Sequence, residues 1–329
     1  GNNVIGDDLT STNDGFAFAT NVTLTSGDAL TIQTGEGTGD DLVITGTLTE
    51  TNNPDLTIDA GAAGDITFTG AVNLGTGALT IRDAAIVEVS STLAAGAFTQ
   101  SDGTTSTTID NTATIAGAFA FTGNALTLSG ANNTVGTTMT VTNAGAFTTG
   151  DAANLTVGNE FVQNGAGANV IGDDLTSTND GFDFLRAVTL TSTDAIQITM
   201  TDGAAGDDLV FQNTLTGTDD NLAINAGANG DITFTGAVNL GTGTLTIDNA
   251  AIVEVSSTLA AAAFTQTAGT TSTTIDNTAT ITNAFTFTGQ DLTLSGANNT
   301  VGGAMTVTNA GTFTTGDAAN LTVGNDFIQ

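Results

Sequence analysis

Large apolar residues alternate with threonine along much of this chain. The triplet apolar-Thr-apolar recurs as Val22-Thr23-Leu24, Leu30-Thr31-Ile32, Leu56-Thr57-Ile58, Ile66-Thr67-Phe68, Leu79-Thr80-Ile81, Leu126-Thr127-Leu128, Met139-Thr140-Val141 and Leu155-Thr156-Val157. A period of two sends the apolar side chains to one face of an extended strand and the threonines to the other, as in a strand buried on one side. Between the triplets lie clusters such as Thr34-Gly35-Glu36-Gly37-Thr38-Gly39-Asp40-Asp41 and Ser129-Gly130-Ala131-Asn132-Asn133-Thr134. Gly, Asn and Asp tolerate positive φ and cap their own turns, so these clusters are predicted turns. The Ala-rich stretch 84–95 also carries Ile, Val and Thr, which favour a strand there over a helix.

Strand signals continue with no helix or long loop between them, and Pro54 is the single proline. This pattern predicts an all-β parallel solenoid coiling around one narrow core, in preference to a β-sandwich. Turns of roughly 20 to 25 residues, stacked at about 4.8 Å, give about seven or eight turns per repeat and a rod on the order of 70 Å for the chain.

The chain is also written twice. The segment from Asn3 through Phe16 returns as Asn169 through Phe182, 166 residues later, and the same offset links Asp65-Ile66-Thr67-Phe68 to Asp231-Ile232-Thr233-Phe234. The sequence therefore divides into unit 1 over 1–163, a junction over 164–166 and unit 2 over 167–329. One slip interrupts the copy. Gly39-Asp40-Asp41-Leu42 matches Gly206-Asp207-Asp208-Leu209 at an offset of 167, and by Leu56 and Leu222 the offset is 166 again. A one-residue insertion and a one-residue deletion are thus expected to cancel inside one turn-to-strand stretch, since loops absorb such slips and strand faces do not. Phe16, Phe68, Phe98, Phe121, Phe147 and Phe161 recur as Phe182, Phe234, Phe264, Phe287, Phe313 and Phe327, as expected of stacked core residues. Neither terminal segment has a distinct polar cap, which leads to the expectation of either a longer tandem array or end-to-end stacking.

Composition narrows the function. The 329 residues hold 34 acidic side chains and two basic ones, Arg82 and Arg186, for a net charge of −32. Such a surface offers nothing to replace the counterions of a nucleic acid, and it is repelled by anionic membranes. Solubility, mutual repulsion and attraction of cations follow instead. Cysteine is absent, which excludes a disulfide framework. No apolar run approaches the roughly 18 residues of a membrane span, and no basic-then-apolar leader opens the chain.

The run Leu126-Thr127-Leu128-Ser129-Gly130-Ala131-Asn132-Asn133-Thr134-Val135-Gly136, continuing to Met139-Thr140-Val141-Thr142-Asn143-Ala144-Gly145, resembles the β-strand repeat of bacterial autotransporter passengers and giant surface adhesins. The second copy carries it as Leu292 through Gly311. The resemblance covers one short stretch per copy and implies a right-handed parallel β-helix exposed outside the cell, with an adhesive or scaffolding role. The chain departs from that family in lacking Tyr and Trp and in showing no β-barrel translocator.

Little chemistry is available. Without His, Cys or Lys, neither a Ser-His-Asp triad nor a Cys or Lys nucleophile can be assembled. Arg82 stands opposite Asp248 and Arg186 opposite Thr20, so neither arginine belongs to the repeated pattern. A two-carboxylate glycosidase is expected to present Trp or Tyr to its sugar, and there is none. The expectation is no enzyme. Asp7, Asp8 and Asp14 lie in glycine turns and recur as Asp173, Asp174 and Asp180, which makes them candidate Ca²⁺ ligands that would neutralise charge and stiffen the rod. Their spacing matches neither the EF-hand loop nor the Ca²⁺-binding nonapeptide, and Asp is equally a turn-former. Runs such as Thr104-Thr105-Ser106-Thr107-Thr108 suggest a threonine face able to grip ice, interrupted by Gly and Asn. The expected function is an extracellular filament, stalk or sheath in which copies partner one another end to end. The competing expectation is a cell-surface adhesin for a receptor, glycan, mineral or ice.

Overall fold

The computed structural model describes residues 1–201 and 206–329. The described residues are all β, in strands of two to six residues separated by turns, with no helix among them. The chain divides into two compact units, Gly1–Gly158 with Gln163–Gly167, and Asn159–Val162 with Ala168–Gln329.

In each unit every strand pairs in parallel with the strand three places along, which makes three sheets wound around one core: a parallel β-solenoid. In unit 1, Val22 lies beside Asn3 on one side and Leu48 on the other, so the first two turns take 19 and 26 residues. Turns further along take 20 to 22. The predicted triplets all fall on strands, with the burial alternation their sequence requires: Val22 and Leu24 are buried while Thr23 is half-buried, and Leu56-Thr57-Ile58 repeats this.

Backbone hydrogen bonds run from turn to turn through the corners as well as along the strands. Gly96 N donates to Gly77 O (2.8 Å), and Gly117 N donates to Gly96 O (2.7 Å). Such close stacking explains particular glycines. A Cβ on Gly181 would lie 1.7 Å from Asp208 O, and the counterpart on Gly15 would lie 1.8 Å from Asp41 O. At Gly75 and Gly241 the demand is conformational, since both adopt positive φ, 53° and 58°.

Phenylalanines fill the core in columns. In unit 1 the Phe98 and Phe119 rings stack with centroids 4.5 Å apart, and in unit 2 Phe264 and Phe285 repeat this at 4.6 Å. Unit 2 adds a longer column, Phe184-Phe211-Phe234, with both steps at 5.3 Å and nearly parallel rings. The first copy has Phe18, Ile44 and Phe68 in matching register, so Ile44 breaks the aromatic column there. Each buried ring contributes about 1.5 to 3 kcal/mol by area. The expected core phenylalanines are buried except Phe16 and Phe313, which are half-buried, and Phe327, which is exposed.

Two expectations need correction. Asn132–Val135 is a strand, not part of a turn cluster, because Asn133 turns inward and satisfies its amide within the core. Its Nδ2 donates to Gly130 O (2.6 Å) and its Oδ1 accepts from Ala113 N (3.1 Å). Second, the offset slip is not confined to one stretch. Strands Leu209–Phe211 and Leu215–Thr216 keep the offset of 167, so the insertion precedes Gly206 and the deletion follows Thr216. The site of the insertion reaches residues 202–205, which lie outside the described residues.

The Phe184-Phe211-Phe234 column yields a stability test. Phe211→Ala is expected to cost about 3 to 5 kcal/mol, and Phe211→Ile, which restores the first copy's residue, no more than about 1.5 kcal/mol. Denaturant unfolding of the two variants checks this; equal losses would contradict it.

Candidate functional site

The sequence-derived candidates are the aspartates of the glycine turns, and the structure gives them backbone work. Asp7 Oδ1 accepts from Asp8 N (2.9 Å), and Asp8 Oδ1 accepts from Thr31 N, one turn along (2.8 Å). Asp173 and Asp174 repeat both bonds, Asp173 Oδ1 to Asp174 N (2.8 Å) and Asp174 Oδ1 to Gln197 N (2.7 Å). Asp14 and Asp180 sit in the next corner, where each backbone N–H donates to a serine hydroxyl, Ser11 and Ser177, at 3.3 Å. Asp7 and Asp8 therefore share a turn, and Asp14 occupies another. Among the described residues, no group of three or more acidic side chains is arranged to hold a metal ion.

The contact made by Asp8 is a general device of this fold. A carboxylate or amide oxygen at the start of a strand accepts the N–H that the next turn presents above it. Asp55 takes Ala78 N (2.8 Å), Asn21 takes Thr47 N (3.1 Å), and Asn221 takes Thr244 N (3.0 Å). In unit 1 two such rungs stack directly, Asp41 to Asp65 N (2.9 Å) and Asp65 to Ile86 N (3.1 Å). Unit 2 repeats them as Asp208 to Asp231 N (2.9 Å) and Asp231 to Ile252 N (3.0 Å). Each side chain thus staples one turn to the next.

Stacked staples carry stacked charge. Burial raises the Asp231 carboxyl above its ordinary range, the bond from Ile252 N opposes this, and the Asp208 charge reinforces it. Burial likewise raises Asp174, against the bond from Gln197 N and with the Asp173 charge. Asp83 is raised by burial and then by Asp102 and Asp59. Asp183 is raised by burial, opposed by its hydrogen bond from Gln212. Glu160 is raised by burial and by the charges of Asp180 and Asp183, with which it lines a small acidic depression.

The residues that sequence reasoning missed are inward-facing polar groups. Gln100 and Thr107 are buried, and the Thr107 hydroxyl donates to Gln100 Oε1 (2.7 Å). Gln266 and Thr273 repeat the pair (2.8 Å). In unit 1, Gln163 Nε2 donates to Asn143 Oδ1 (2.7 Å) and Asn143 Nδ2 to Gly145 O (2.6 Å), a buried amide network at one corner. The signal was present, since these residues occupy core positions of the two-residue alternation. Thr107, read as part of an outer threonine run, belongs to this interior.

The outer faces carry threonine columns. Thr31, Thr57, Thr80 and Thr99 stand side by side on successive strands, and Ala120 interrupts them before Thr140. On the other two faces of unit 1 the matching columns are broken by Asn73 and Ala94, and by Val43 and Glu88. A surface depression of about 480 Å³ in unit 2 is lined mainly by polar residues, among them Ser192, Thr193, Asp194, Asp219 and Asn221. No helix of the described residues is long and apolar enough to cross a membrane. Comparisons with family models, with curated proteins and with solved structures find no match.

Two outcomes follow for the staples. Asp231→Asn keeps the acceptor and removes a charge facing Asp208, so it is expected to leave stability unchanged or raise it. Asp231→Ala is expected to lose about 1 kcal/mol by denaturant unfolding. The pH dependence has a definite sign. A carboxyl whose native pKa is raised binds protons more tightly folded than unfolded, so its stabilising effect is full below the unfolded value and is lost as pH rises through the native one. At fixed ionic strength, the melting temperature is expected to climb on acidification from pH 7 and to level off near pH 4. A melting temperature that falls steadily over that range would contradict the assignment.

Proposed function

We propose that this chain is a structural segment of an extracellular filament, stalk or sheath, in which β-solenoid turns continue from one copy to the next. One observation carries the reading: both copies stack like on like from turn to turn, Phe98 on Phe119 in unit 1 and Phe264 on Phe285 in unit 2. Phe161 is buried beneath Phe182 and Phe184, with centroids 5.8 and 5.2 Å away. Each turn of this protein buries its core against the turns on either side of it, the architecture of a rod rather than of a pocket.

The near-identity of the copies supports a material rather than a duplicated site, which would be free to diverge in one copy. The resemblance of 126–145 to adhesin β-strand repeats supports a place outside the cell. So does the scarcity of basic residues, which leaves trypsin-like proteases only Arg82 and Arg186 to cut. A second reading, an adhesin that grips a regular surface, is favoured by the outer column Thr31-Thr57-Thr80-Thr99.

Negative-stain electron microscopy separates the two readings. The structural reading expects the chain, at salt high enough to screen its charge, to form uniform unbranched fibres. Discrete particles under all salt conditions, with binding to a glycan, mineral or ice surface, would replace it with the adhesin.

A further inference from the structure

Charge is unevenly spread along each unit. Residues 1–98 hold 13 acidic side chains and residues 99–163 hold four; residues 167–264 again hold 13, and residues 265–329 four. In unit 1 the stretch 111–150 has no charged residue. It folds into six strands, from Ala113–Ile115 to Phe147–Thr149, so two full turns of an otherwise acidic solenoid are neutral. Their outer sides carry threonine in register: Thr114 beside Thr134, Thr127 beside Thr148, and Thr122 beside Thr142.

A groove of about 580 Å³ opens on this region and crosses four successive turns of unit 1, at 102–104, 122–124, 142–144 and 165–166. At one strand spacing per turn it runs about 14 Å along the solenoid axis, and its volume is that of sites that hold small ligands. The turns beneath it are fastened to one another, since Asn124 N donates to Gly103 O (2.9 Å) and Ala144 N to Gly123 O (2.9 Å). The polar groups of its lining are also held in place. Asp102 Oδ1 accepts from Gly103 N (2.8 Å), which leaves Oδ2 to accept from another donor. Asn124 Nδ2 donates to Thr105 O (3.0 Å), and the Thr142 hydroxyl donates to Asn164 Oδ1 (2.6 Å) while its oxygen can still accept. Thr122 is exposed beside them.

We infer that this groove binds a neutral glycan laid along the solenoid axis. Charge selects the class of ligand. A cationic ligand is drawn to the carboxylate-rich residues 1–98, and an anionic polysaccharide is repelled by a chain of net charge −32. A neutral polyhydroxyl chain is subject to neither, and it meets hydroxyl and amide groups that both donate and accept, as its own hydroxyls do. The Asp102 carboxylate adds a charged acceptor for a sugar hydroxyl, the stronger kind of hydrogen bond. Unit 2 carries Ala268 and Gln290 where unit 1 has Asp102 and Asn124, so this acceptor belongs to unit 1. With no Trp or Tyr to stack on a ring, the groove holds a sugar by hydrogen bonds. The inference rests on the adhesin reading, whose ligand and place it names, and is independent of whether turns continue from copy to copy.

The test is native electrophoresis of the full chain in gels cast with a soluble neutral β-glucan, an α-glucan or a mannan. At least one of these is expected to retard the unaltered chain relative to a plain gel, and the anionic polysaccharide alginate is not. Thr122→Glu puts a carboxylate into the groove, and Asp102→Ala gives unit 1 the residue of unit 2; each is expected to weaken the binding about fivefold or more, the loss of one hydrogen bond. Both positions are exposed, and circular dichroism confirms each fold. Thr76→Glu, at an exposed position outside the groove, adds the same charge and is expected to change nothing. Retardation that survives either groove substitution, or that Thr76→Glu removes equally, overturns the groove as the site and leaves an adhesin standing. Retardation by alginate overturns the neutral class. No retardation by any glycan overturns the inference, and binding to a mineral or ice surface then decides the adhesin reading separately.

Discussion

Everything in this molecule depends on the hydrogen bond between one turn and the next. A parallel strand satisfies its backbone groups only through neighbours on both sides, and a buried N–H or C=O left unpaired costs a few kcal/mol. Here the neighbours are the preceding and following turns, so the same contact is made over and over: 19 to 27 residues away along the chain and one strand spacing away in space. Threonine on the outer side, a large aliphatic or aromatic residue on the inner side and glycine at the tight corners each suit that contact. Ring stacks such as Phe98 on Phe119 and Phe264 on Phe285 are the side-chain version of the same rule.

The charge of the chain takes on a structural meaning in this setting. Carboxylates seldom find a basic partner, because the chain has two basic residues in all. They are placed where a backbone N–H from the next turn can serve instead, and a hydrogen bond to an ionised acceptor is among the stronger ones. The stacked pairs Asp41–Asp65 and Asp208–Asp231 show the cost, since each staple brings a second negative charge near the first. Asparagine performs the same task at Asn21 and Asn221 without that charge. Acidity therefore coexists with stability because the acidic groups are acceptors of the ladder.

The fold was largely legible in the chain. Alternation at Val22-Thr23-Leu24 or Leu56-Thr57-Ile58 specifies a strand and its inner face, because a period of two admits no other assignment of sides. Legibility ended where composition and position disagree. Asn132 and Asn133 look like a turn, yet Asn133 is an inward strand residue whose amide partners, Ala113 N and Gly130 O, compensate its burial. Gln100 and Thr107 meet across a corner, a contact fixed by how the turn folds and not by their spacing alone. For the aspartates, glycine turns were correctly read at Asp8 and Asp174, but the N–H each accepts lies 23 residues on. That distance is set by the length of each turn, and turn length varies.

The central claim is that a turn is completed by the turn above it, and amide hydrogen exchange on the monomeric chain at low ionic strength tests it most directly. Phe161 is buried beneath Phe182 and Phe184, and its amide bonds to Gly181 O. The account expects Phe182→Ala with Phe184→Ala, which opens the turn above, to speed exchange of the Phe161 amide at least a hundredfold (about 2.7 kcal/mol of lost protection). Unchanged exchange would show that a turn is complete by itself, and would contradict the account.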